Sequence, residues 1–292
     1  MPPHYPSDFK DSSCKLEHQL SFTGILFAKN HCWRFSRQPK LLYPMTIIPV
    51  DGKAVLVLII TTSKREETIV ELALLSQNSL AFLLRWVHLL AGVTWIGLLY
   101  YFNFVQGEYF KEADGGAKSD VIQKLVPRAL WWFRWGAMFT FLSGLILVYI
   151  KHLTGMGIVI GVVLGTIMFL NVWLIIWPNQ KIVIASAKQV AGGGEALPGA
   201  AAALGKAGLA SRTNTLFSVP MLFFMASSVH LGQLQTPIHQ SSVISLVVVY
   251  GLIAILALNG IFGKTGPITS VKGVIGSGFV LTAVLYLLVE LL

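Results

Sequence analysis

Charge is the scarcest feature of this chain. Only 12% of its 292 residues are Asp, Glu, Lys or Arg, about half the roughly one quarter usual in a soluble domain. With 54% hydrophobic residues and a mean hydropathy of +0.69, the chain is read as solvated mainly by lipid. Cysteine is nearly missing too: Cys14 and Cys32 both lie in the N-terminal segment, and no C-x-x-C or C-x-x-C-H occurs. That excludes a covalently attached c-type haem, a cysteine zinc site and an iron–sulfur cluster in this chain. The start also lacks a basic region followed by an apolar run, which excludes a secretory signal. The net charge of +9 would invite a nucleic-acid reading in a soluble protein. Here Lys and Arg fall in loops between apolar segments, so they are assigned to membrane topology, with no nucleic-acid partner.

What is present is a series of long apolar runs. Six cover approximately 81–105, 133–151, 156–177, 214–232, 242–262 and 272–291. Each is near or above the ~20 residues that cross hydrocarbon as a helix. Backbone in lipid must satisfy its own hydrogen bonds, so these runs are helices. The expected fold class is all-α: a polytopic bundle of about six membrane-spanning helices over residues 80–292, with the lipid bilayer as its partner. Trp131, Trp132 and Trp135 at one end of the second helix, and Trp173 and Trp177 at one end of the third, read as an interfacial belt. Pro178 reads as a helix stop. Residues 106–132, with Val121, Ile122 and Leu125, read as an amphipathic surface segment, and 178–212 as a surface loop with one or two short helices and a hinge at Gly192-Gly193-Gly194.

Residues 1–79 mix charges, prolines and short apolar patches (Gly24–Ala28 and Ala54–Ile60) too short to span a membrane. A weakly ordered extension and a misannotated upstream start both remain open for them. Basic residues crowd the loops after helices one, three and five, whereas those after two and four contribute only Lys151. By the positive-inside rule the first set faces the cytoplasm. The nine basic residues from Lys10 to Arg65 oppose that orientation.

Four histidines fall in the bundle: His88, His152, His230 and His239. The topology above gathers them at one membrane face. Imidazole is the usual axial ligand of b-type haem and a common metal ligand. His152 and His239, beside loops, read as tolerated interface residues. His88 is within a helix, and Arg85, His88, Gly92, Trp95 and Phe102 share one face. That face offers a cation, an imidazole, a gap for a planar ring and an indole, so His88, Arg85 and Trp95 form a candidate haem, metal or substrate site. His230, after Ser227 and Ser228 on a helix containing Pro220, is the second candidate ligand. Gly157, Gly161 and Gly165 read as a close-packing stripe, and Asn103, Asn171 and Asn214 as hydrogen-bonding links between helices.

The run from Arg85 to Val105 resembles the opening helix of the membrane domain of bacterial membrane-bound urate hydroxylase, the urate oxidase N-terminal family. Three further blocks are similar in order: Trp132–Thr140, Asn171–Gln180 and Ser211–Met225. Together they span about 81–232. The resemblance implies a multi-pass protein of the bacterial inner membrane, tied to urate oxidation in purine breakdown. Members of that family carry a cytochrome c domain after the bundle. This chain has no C-x-x-C-H, so a separate cytochrome c as electron acceptor, or another small-molecule substrate, is expected. The first helix also resembles, more loosely, the haem-binding membrane protoporphyrinogen oxidase and copper-resistance membrane proteins, which again points to His88. The expected function is a redox membrane subunit with haem b. A small-anion transporter and a non-catalytic assembly subunit stand as alternatives.

Overall fold

The computed structural model describes residues 45–50, 53–60, 68–71 and 77–292 apart from 229. The cysteines and the Gly24–Ala28 patch lie outside the described residues. Ahead of the bundle is a three-stranded antiparallel sheet of order β1 (Met45–Val50), β2 (Lys53–Ile60) and β3 (Thr68–Glu71). The β-branched run Val55 to Ile60 suits a pleated strand. Val50 pairs with Lys53, leaving Asp51-Gly52 between β1 and β2, a dipeptide favoured in two-residue hairpin connections. This sheet accounts for the apolar patch that was too short to cross a membrane.

The bundle has the expected helices. Five are long and apolar enough to cross a bilayer: α1 (Ser79–Glu112), α2 (Gly115–Lys151), α3 (Met156–Ala191), α5 (Val243–Phe262) and α6 (Val271–Leu291). The sixth long helix, α4 (Ala200–Ser227), is more polar. Its residues Thr213 to Ser218 are all buried in succession. Six consecutive helical residues point in every direction, so this middle part of α4 is enclosed on all sides by protein. A helix shielded from lipid can carry Thr, Asn and Ser where its neighbours cannot. Phe217 and Phe224 of α4 and Leu164 and Met168 of α3 have no exposed surface and form the centre of the core.

Three boundaries differ from expectation, for one physical reason. Residues 115–132 are not a separate surface segment but the first half of α2, and α3 runs through Pro178 to Ala191. Proline lacks an N–H and its ring crowds the carbonyl four residues earlier. In both helices a stretch of wider π turn immediately precedes it, Val121–Leu125 before Pro127 and Asn171–Ile176 before Pro178. The wider turn absorbs the clash and lets the helix continue. The connection between α3 and α4 therefore shrinks to 192–199, where Gly193 and Gly199 take positive φ.

Candidate functional site

The residues around His88 are set by the antiparallel contact of α1 with α2. Phe102 packs edge-on against Phe133, Trp95 lies against Gly136 and His88 against Gly144, so one sequence rises as the other falls. The small residues of α2 decide how close the helices come. A side chain at Gly136 would sit 3.1 Å from the Trp95 backbone nitrogen, and one at Gly144 would sit 3.0 Å from His88 Cε1. The expected gap at Gly92 is not open. Its missing side chain faces Thr140 of α2 at 3.8 Å, because the close approach of the two helices brings that side chain over the glycine. No slot for a planar ring lies between these two helices at Gly92.

The His88 imidazole is half-buried, with Nδ1 3.3 Å from Ser143 Oγ. Ser143 Oγ lies 2.5 Å from the Phe139 carbonyl and 3.1 Å from that of Thr140. A hydroxyl has one hydrogen, and here it donates to a backbone carbonyl. Toward His88 the serine oxygen must then accept, which puts the ring hydrogen on Nδ1. Nε2 then keeps its lone pair. A histidine anchored through Nδ1–H is the form in which the other nitrogen acts as a ligand.

The other predicted site residues are distributed as follows. Trp95 is 2% exposed and its Nε1 has no hydrogen-bond partner. Arg85 is exposed, one turn from His88, with no ion pair among the described residues. His230 is exposed in the turn after α4 and shares no hydrogen bond with His88. His152 caps α2 in the left-handed conformation, a structural role that histidine tolerates better than most side chains. The turn that follows it is clasped to the segment before His239 by Met156 N–H donating to Thr236 O and Ile238 N–H donating to Thr154 O. His152, His230 and His239 thus lie at one end of the bundle, with His88 further along α1 from that end. Among the described residues, no three His, Cys, Asp or Glu side chains cluster as a metal site would require.

A second polar assembly surrounds α4. Asn171 Nδ2 donates to Asn214 Oδ1 at 2.8 Å, and Asn214 Nδ2 donates to the Met168 carbonyl at 2.9 Å. Asn103 Nδ2 donates to Ser211 Oγ at 2.8 Å, and the Tyr100 hydroxyl pairs with that of Ser218 at 2.9 Å. All three asparagines link helices, as their position in lipid predicts. Asn103 and Asn171 both sit in π turns. Near Ser211, Arg212 Nη1 is buried without a partner, as is Gln106 Oε1 on α1. The guanidinium of Arg134 covers the Trp177 ring at 3.3 Å. Ser143, Ser211 and the Arg134–Trp177 pair were not legible beforehand, because each depends on the register between two helices.

The surface completes the description. Leu89, Val93, Ile255, Phe279 and Val280 are each at least 64% exposed while asparagines fill the interior. That inversion, on helices of spanning length, defines a polytopic α-helical membrane protein. Comparison adds a likeness: residues 153–286 match the model of the family described as Urate oxidase N-terminal, so this stretch of the bundle is similar to that family. The matched residues include the Asn171–Gln180 and Ser211–Met225 blocks and extend past residue 232 to α6. The blocks on α1 and early α2 precede them. No curated protein and no solved structure matches the chain.

Proposed function

We propose that this chain is the membrane-embedded subunit of an oxidoreductase acting on urate or a closely related purine, with His88 as the ligating residue. The observation that carries the reading is the contact at His88: Ser143 Oγ, which donates to the Phe139 carbonyl, lies 3.3 Å from Nδ1, an arrangement that favours the hydrogen on Nδ1 and a lone pair on Nε2. His88 is the residue that would hold a haem b, which would lie outside the α1–α2 seam, since Thr140 closes the seam itself at Gly92. Bound there, a haem would supply one-electron transfer to an acceptor such as a separate cytochrome c. Arg85, exposed one turn away, is placed to meet an anionic edge, whether a haem propionate or urate. Ser143 holds the imidazole's orientation.

A purified sample examined in oxidised and dithionite-reduced form tests this. A reducible Soret band lost in His88→Ala and weakened or shifted in Ser143→Ala is expected. Colourless protein with full helical content would overturn it. Urate consumption with added cytochrome c separately tests the substrate. The unpartnered buried Arg212 Nη1 and Gln106 Oε1 beside α4 favour a second reading, passage of a small anion. Uptake of urate by proteoliposomes that Arg212→Gln abolishes would favour that reading over the first.

A further inference from the structure

The last two helices are each pinned to α4 by a glycine. A side chain at Gly260 on α5 would fall 2.7 Å from Thr213 Oγ1, and one at Gly278 on α6 would fall 2.7 Å from Val219 Cγ2. Between α5 and α6 lies a cavity of about 630 Å³, the size of a site for a bound molecule. Leu216 of α4 lines it, with Leu256 of α5 and Val280 of α6 to either side. Val280 is 64% exposed, so the cavity opens sideways, toward where lipid chains run.

One end of this cavity is polar. Asn259 grips the Lys264 backbone from both sides, its Nδ2 donating to the Lys264 carbonyl at 3.1 Å while its Oδ1 accepts from the Lys264 N–H at 3.4 Å. That clasp holds the Lys264 backbone at the lining of the cavity. The Lys264 ammonium forms no ion pair among the described residues. An exposed cation on a held stretch of backbone at one end, an apolar trough along the rest and a lateral opening repeat the order of a charged headgroup followed by an acyl chain.

We propose that this cavity binds an anionic phospholipid, with the headgroup at Lys264 and an acyl chain along Leu216, Leu256 and Val280. A neutral lipid would leave the ammonium without a counter-charge, and a water-soluble anion would leave the trough uncovered. Basic pockets between membrane helices recognise acidic headgroups in this way, at about 1 kcal/mol per basic residue.

The test uses the full chain reconstituted in mixed phosphatidylcholine–phosphatidylglycerol nanodiscs, with the lipid retained on the released protein measured by native mass spectrometry. Wild type is expected to retain phosphatidylglycerol above its bulk share. Lys264→Gln should cut that enrichment about fivefold, the equivalent of about 1 kcal/mol, and Lys264→Arg should keep it. Lys272→Gln, an exposed change at the start of α6 outside the cavity, should leave it unaltered. Ser277→Phe, which fills the trough, should abolish retention of either lipid, and if that variant misfolds the two Lys264 variants decide the matter. Equal retention of both lipids by wild type would overturn the proposal. So would an equal loss in Lys272→Gln, or a neutral isoprenoid quinone in place of the phospholipid.

Discussion

Three glycines on α2 and α3 show how much one absent side chain can decide. Gly136 brings the α1 backbone into contact, with the Ala91 carbonyl 3.3 Å and the Trp95 nitrogen 3.1 Å from where a Cβ would stand. Backbone cannot swing aside as a side chain does. Gly136→Ala should cost about 1–3 kcal/mol, read as a lowered midpoint in detergent denaturation, and an unchanged midpoint would contradict the packing described. Gly144→Ala should leave stability less affected but press on the His88 ring at 3.0 Å. At Gly161 an added Cβ would fall 2.6 Å from Met225 Cγ, close to the root of that side chain, so the flexible end of the methionine gives little relief.

The Asn171–Asn214 pair is the clearest single link between helices. A double-mutant cycle with alanine at both positions should return a coupling of about 0.6–1.7 kcal/mol, the span measured for hydrogen bonds between membrane helices. Additive single effects would show that the two amides do not interact. The asparagines were readable as glue from their place in apolar runs. Their partners were not, because pairing needs the register of α3 against α4. His88 was likewise readable as a candidate, whereas Ser143, which sets its tautomer, sits 55 residues away in the chain.

At the scale of elements, the π turns and α4 carry the lesson. A proline after an apolar run signals a helix end by its local chemistry. Here Pro178 sits inside α3 because packing against α4 outweighs the local preference and the preceding π turn relieves the clash. α4 is the converse case: a helix too polar to face lipid is placed where its neighbours cover it. Its contact with α5 turns on Gly260 and Thr213. Gly260→Ala should destabilise the bundle by about 1–3 kcal/mol, and adding Thr213→Ala should restore part of the loss, since Thr213 Oγ1 and Cγ2 are the atoms in the way. Full additivity of the two changes would show that the contact is not the cause.

For the whole molecule, the clasp between residues 154–156 and 236–238 places His152 and His239 at one end of the bundle, and the connection 192–199 at the other. In a chain whose Cys14 and Cys32 are replaced by serine, single cysteines at 152 and 239 should be labelled from the same side of the membrane. A cysteine at 193 should be labelled from the opposite side. Labelling of 152 and 239 from different sides would break the arrangement.

The approximate places of five spans, the helical character of the bundle and the histidines worth testing followed from the amino-acid sequence alone. Lipid solvation writes itself directly into composition, as long runs with little charge that only helices can satisfy. Tertiary structure alone decided which helix is the shielded centre, that proline does not end α3, that Thr140 fills the space beside Gly92, and that Ser143 orients His88. Each of these depends on which side chains two distant helices bring together, and that pairing is set by packing.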